Sequence, residues 1–125
     1  MSSREPPRVP DTIMVVEDEG KVRSLIMGVL QGAGFAVIAA LDGRDVLDLC
    51  AVHRSPIHLM ITDFKMPGMT GGELIRRVSK IRPGMKFLCI SGHPSEAVVM
   101  PQVTVLEKPF PLKTILDKVY ELLDS

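Results

Sequence analysis

The chain has 125 residues, 46% of them hydrophobic, with 15 basic and 15 acidic side chains that cancel to a formal net charge of zero. That length suits one domain around a single core, and the balanced charge offers no field to recruit nucleic acid or an anionic membrane surface. No stretch approaches 18 apolar residues and the first eleven lack the apolar run of a signal peptide, so no membrane span is expected and a cytoplasmic location is the default.

Residues 1–11 carry Pro6, Pro7 and Pro10 among mixed charges and are expected to form a disordered tail, leaving 12–125 as the domain. Residues 12–16 read as a strand buried on both faces, and they run directly into Glu17, Asp18 and Glu19. Val22, Leu25, Ile26, Val29, Leu30 and Ala33 then fall at the spacing of an amphipathic helix, with Gly34 placed to stop it. Residues 35–41 predict a second strand. Asp42-Gly43 leads into a helix with Val46, Leu47 and Cys50 inward, closed by Ser55-Pro56.

Residues 57–63 predict a third, central strand whose last residue is Asp63. After a Pro/Gly loop, Leu74, Ile75, Val78 and Ile81 mark a third helix that Arg82-Pro83-Gly84 terminates. A fourth strand over 85–91 finishes on the hydroxyl of Ser91, and 94–100 is at most a short helix with Pro94 suited to its first turn. A fifth strand over 103–107 precedes Lys108-Pro109-Phe110, and Leu112, Ile115, Leu116, Val119, Leu122 and Leu123 share one side of the last helix. Cys50 and Cys89 read as buried thiols of a reducing compartment.

Strands that alternate with helices imply parallel strands joined by right-handed crossovers. The expected fold is therefore α/β: a flavodoxin-like doubly wound five-stranded parallel sheet, order 2-1-3-4-5, with a shortened fourth helix. In such a sheet ligands sit beyond the carboxyl ends of the strands. That edge receives Glu17 and Asp18, Asp63, Ser91 and Lys108. Singly, each has a plainer reading: a strand-end Asp can cap the next helix, Ser91 can close a turn, and Lys108 can be a solvated lysine.

Together they point to chemistry. Two carboxylates about 4 Å apart repel by roughly 4 kcal/mol at an effective dielectric near 20, so a cation is expected among them. Oxygen ligands of this kind suit Mg²⁺. An Asp beside a cation and a lysine can attack phosphorus and carry an aspartyl phosphate, while Lys108 and the Ser91 hydroxyl offset charge on the phosphoryl oxygens.

The acidic pair Glu17-Asp18, Asp63 followed by Met66-Pro67-Gly68-Met69 and Gly71, Ser91-Gly92 and Lys108-Pro109-Phe110 give the chain its resemblance to the receiver domains of bacterial two-component response regulators, across residues 12–123. Residues 63–74 and 88–99 are particularly similar to receivers of hybrid sensor histidine kinases. The resemblance implies that Asp63 is the phosphoacceptor; that Asp18, Asp63 and the backbone carbonyl of Lys65 bind Mg²⁺, with Glu17 acting on the metal through water; that Ser91 and Lys108 hold the phosphoryl group; and that Pro109 follows a cis bond. It further implies a sensor histidine kinase or histidine phosphotransfer protein as phosphodonor, and a downstream protein of unknown identity.

Two departures stand out. Val105 occupies the position where the family usually carries a switching Tyr or Phe, and the segment from Ser91 to Lys108 is short by roughly one helical turn. Lys65 and His93 occupy variable positions flanking the site, while His53 and His58 show no metal-ligand spacing. Since the chain stops with its last helix, a stand-alone regulator or a domain of a longer hybrid kinase is expected. The readings to be separated are a phosphoaccepting switch, a docking module of the same fold whose output ignores phosphorylation, and a turnover phosphatase of the haloacid dehalogenase type. The last wants a second Asp two residues after the nucleophile, where Lys65 stands.

Overall fold

Each strand is mostly apolar, and each helix carries one apolar stripe, so the sheet must be covered on both sides. In the computed structural model, which describes residues 10–66, 68–92 and 103–124, the elements run β1 (Thr12–Val16), α1 (Gly20–Gly32), β2 (Ala36–Ala40), α2 (Gly43–Val52), β3 (Leu59–Asp63), α3 (Gly71–Ile81), β4 (Lys86–Ser91), β5 (Val103–Glu107) and α4 (Leu112–Leu123). The five strands are parallel in the order β2-β1-β3-β4-β5, as expected. The expected short helix over 94–100, His93, and most of the expected tail lie outside the described residues. Pro10 and Asp11 are described, and the Asp11 carbonyl accepts from the Ala36 amide at 3.1 Å.

Alternation along the strands divides the core in two. Ile13, Val15, Leu59, Ile61, Leu88 and Ile90 pack against α1 and α4 through Ile26, Leu30, Ile115 and Val119. Met14, Val16, Met60, Phe87 and Cys89 pack against α2 and α3 through Val46, Cys50, Leu74, Ile75 and Val78. Both cysteines are buried free thiols in this second half; burial raises the pKa of each, that of Cys89 to about 11.

The helix boundaries follow from local chemistry. Gly34 takes φ +96° after α1, letting its amide reach Gln31 O (3.0 Å) and that of Phe35 reach Leu30 O (3.1 Å), the two bonds that close a helix C-terminus in this way. Asp42 accepts from the Asp45 amide (2.9 Å) and Asp45 in turn from the Leu41 amide (2.9 Å), a reciprocal cap on α2. Thr70 caps α3 through the Glu73 amide at 3.1 Å. Helix α2 stops at Val52 rather than at Ser55-Pro56, because the carbonyls of Cys50 (3.1 Å), Ser55 (3.0 Å) and His53 all turn toward the Arg82 guanidinium.

Two apolar stripes are narrower than the spacing predicts. Leu25 is 56% and Ile81 51% exposed; the first lies at the edge of a face centred on Ile26 and Leu30, and the second is the last residue of its helix, beyond the sheet. No helix among the described residues is long and apolar enough to cross a membrane.

Candidate functional site

Parallel pairing continues past the strand tips and aligns the residues beyond them. Glu17 donates its amide to Ala40 O (3.1 Å), Phe64 to Ile90 O (2.8 Å) and Lys108 to Ser91 O (2.9 Å). Four tips thereby present their next side chains to one space. A carboxylate oxygen from each of Glu17, Asp18 and Asp63 lies within 4.8 Å of the others, and the Lys108 Nζ stands 3.2 Å from Asp63 Oδ1. Ser91 is buried at the end of β4. It lines, with Asp63, Lys65, Gly92 and Lys108, a cavity of about 260 Å³. The Lys108–Pro109 peptide is cis.

The electrostatics are those of a cluster short of positive charge. Glu17 is 6% and Asp63 8% exposed. Burial, then a hydrogen bond with Asp63, pushes the Glu17 pKa up to about 8, and the Glu19 amide that donates to its Oε2 at 3.1 Å offsets only part of this. Burial and the neighbouring carboxylate thus favour the protonated form of Glu17 when no metal is bound. Asp63 Oδ1 is buried and accepts no hydrogen bond; the half-exposed ammonium 3.2 Å away is an ion pair outside hydrogen-bond alignment. A buried carboxylate oxygen without a donor, amid two further carboxylates, fits a small divalent cation with oxygen ligands.

The backbone around Asp63 is tightly held. Gly71 donates to Phe64 O at 2.6 Å, and a Cβ on Gly71 would stand 2.5 Å from Asp63 O and 3.0 Å from Phe64 Cα. The start of α3 thus presses against the end of β3. Among the residues singled out in the sequence, Glu17, Asp18, Asp63, Ser91 and Lys108 meet at this edge, with Lys65 on the cavity rim. His58 belongs to the opposite edge, where its Nδ1 accepts from the Thr12 amide at 2.9 Å and its Nε2 lies 3.6 Å from Asp11. Val105 packs against the core beside α2 and α3. Arg23 is the residue sequence reasoning passed over: its Nη1 donates to the backbone carbonyl of Glu17 at 2.9 Å. Its place five residues past Asp18, on the first turns of α1, was the available signal.

Fold and site together define a doubly wound α/β domain with an acidic pocket beyond the carboxyl ends of its strands. Residues 13–120 match the family model of the response regulator receiver domain, and the chain belongs to that family of two-component signalling domains. It is 32% identical over 119 residues to the sensor kinase CckA of Brucella abortus (strain 2308), covering 91% of this chain and 13% of the kinase. It is 29% identical over 116 residues to the response regulator receiver protein CpdR of the same organism, covering 89% of this chain and 95% of CpdR. Among solved structures, the receiver domain of the hybrid histidine kinase CckA superposes with a TM-score of 0.79 at 32% identity, over 90% of this chain and 98% of that one. The response regulator TrrA of Thermotoga maritima, solved in complex with Mg(2+)-BeF, gives 0.78 at 25% identity, over 90% and 99%.

Proposed function

We propose that this receiver domain accepts a phosphoryl group from a phosphohistidine donor onto Asp63 and switches conformation in consequence. The observation that carries the reading is the Lys108 ammonium 3.2 Å from Asp63 Oδ1, at the rim of a trio of carboxylates. An Asp63 carboxylate oxygen forms a bond to phosphorus as the P–N bond to the donor imidazole breaks; the imidazole leaves with the electron pair and takes up a proton. Lys108 and the Ser91 hydroxyl hold the oxygens of the transferred group, where charge develops. Asp18, Asp63 and the Lys65 carbonyl would hold Mg²⁺, with Glu17 acting through water; the ion would supply charge neutralisation and alignment of donor and acceptor.

The domain works as a switch rather than a turnover enzyme, and a histidine kinase or histidine phosphotransfer protein in the cytoplasm is the donor. That TrrA was solved in complex with Mg(2+)-BeF supports a Mg²⁺-dependent phosphoryl ligand for this domain. The test is intact mass after incubation with acetyl phosphate. One phosphoryl group should be gained with Mg²⁺, and none with chelator or in Asp63→Asn; equal gain in Asp63→Asn overturns the assignment.

Val105 favours one rival. It carries no ring and packs, partly buried, against the core, so it offers no aromatic to relay a change at the site to the surface. Equal affinity for the downstream partner with and without beryllofluoride would select that rival.

A further inference from the structure

We propose that Arg23 is a positioning residue for the metal site: from α1 it clamps the backbone that carries Glu17 and Asp18. The inference rests on the reading that the carboxylate trio holds Mg²⁺.

The loop between β1 and α1 supplies two of the three carboxylates, yet the first helix lacks the side-chain cap that Asp42 gives α2 and Thr70 gives α3. Its cap residue, Glu19, is extended and makes no side-chain cap bond. The loop is held by other means. The Glu17 amide pairs with Ala40 O at 3.1 Å on the β2 side, the Glu19 amide reaches Glu17 Oε2 at 3.1 Å, and Arg23 Nη1 donates to Glu17 O at 2.9 Å. The Arg23 amide also donates to Glu19 O at 2.9 Å, so the same residue begins the helical ladder and reaches back over it. A Cβ on Gly20 would lie 3.7 Å from Arg23 Nη2, which places the guanidinium across the first turn.

Glu17 O belongs to the peptide that joins Glu17 to Asp18. Fixing that peptide plane fixes the direction in which the exposed Asp18 side chain departs, and Asp18 has little packing to do so itself. Groups that orient metal ligands in this way typically change metal affinity by about 10- to 100-fold when removed. A charge-assisted donor is the type whose loss matters most.

The test measures Mg²⁺ affinity by calorimetry on the folded protein, alongside the Mg²⁺ dependence of phosphorylation by acetyl phosphate. Arg23→Ala should weaken Mg²⁺ binding by about tenfold or more and raise the Mg²⁺ concentration for half-maximal phosphorylation in proportion, with the rate at saturating Mg²⁺ close to wild type. Arg23→Lys, which keeps a cationic donor, should recover part of the loss. Lys21→Ala, which removes the same charge from an exposed position on the same turn, should stay within twofold of wild type. Unchanged Mg²⁺ affinity in Arg23→Ala overturns the proposal, as does an equal loss in Lys21→Ala, which would reduce the effect to net charge. If wild type binds Mg²⁺ but takes no phosphoryl group, the proposed function fails while the calorimetric comparison still decides the role of Arg23.

Discussion

Gly71→Ala is the substitution that probes how the strand bearing Asp63 is held. The new methyl would stand 2.5 Å from the Asp63 carbonyl oxygen, about 0.9 Å short of the 3.4 Å at which ordinary contact begins, and 3.0 Å from Phe64 Cα. Both obstacles are backbone, so no side-chain rotation relieves them. The Gly71 amide is bonded to Phe64 O at 2.6 Å, so separating α3 from β3 also strains that bond. Overpacking of this kind costs about 1–3 kcal/mol, offset by at most about 1 kcal/mol of helix propensity at the first residue of α3. With a net loss of about 1–2 kcal/mol, the middle of that range, and roughly 4 °C per kcal/mol for a chain of this length, the midpoint should fall by about 4–8 °C.

Because the displaced atoms are those of Asp63 itself, Mg²⁺-dependent phosphorylation should slow more than the residual folded fraction explains. Gly28→Ala is the control: nothing lies within 4 Å of its Cβ, so the same change in α1 should raise the midpoint by a few degrees. Thermal melts by circular dichroism compare the two. If Gly71→Ala melts at or above wild type with unchanged phosphorylation, the close approach of α3 to the end of β3 does not constrain the site as argued.

Three further outcomes follow from the same structure. Glu17 has a pKa near 8 when folded and an ordinary value of 4.5, so the unfolded chain releases the proton first; in chelator, stability should be highest below about pH 4.5 as far as this group contributes, and decline as pH rises to about 8. Urea midpoints at pH 5 and pH 8 should show that decline in wild type and a flatter profile in Glu17→Gln; parallel profiles would contradict it. Lys108→Ala removes a half-exposed ion pair, so stability should change by no more than about 1 kcal/mol, while the phosphorylation rate should fall by about 10²-fold, read by intact mass against time. Arg82→Ala frees the carbonyls of Cys50, His53 and Ser55 and should cost about 2–3 kcal/mol in denaturant unfolding, with Mg²⁺ affinity unchanged.

Much of this architecture could be read from the chain alone because its signals are local. The first and last strands, Thr12–Val16 and Val103–Glu107, have the bounds expected from the sequence, and Gly34 stops its helix as a glycine of positive φ should. The carboxyl-edge residues were legible once the strand order was inferred, since parallel pairing leaves only one edge for all the strand tips. What was hidden depends on distances between segments far apart in sequence. The end of α2 is set by Arg82, about 30 residues downstream, a capping bond with no local pattern. The exposure of Leu25 depends on where the packing face of α1 is centred, and that of Ile81 on its place at the end of α3. The raised pKa of Glu17 comes first from burial and then from Asp63, neither of which acts on it before the strands assemble, and the hold of Arg23 on the Glu17 carbonyl is a contact to backbone, which residue identity does not announce.

The most direct test locates the phosphoryl group. After incubation with acetyl phosphate and Mg²⁺, borohydride reduction converts an aspartyl phosphate to homoserine, and peptide mass spectrometry reads its position. The account predicts a single reduced residue, Asp63, absent when Mg²⁺ is chelated. Reduction at Glu17, Asp18 or elsewhere with Asp63 intact, or no reduction under any condition, would contradict it.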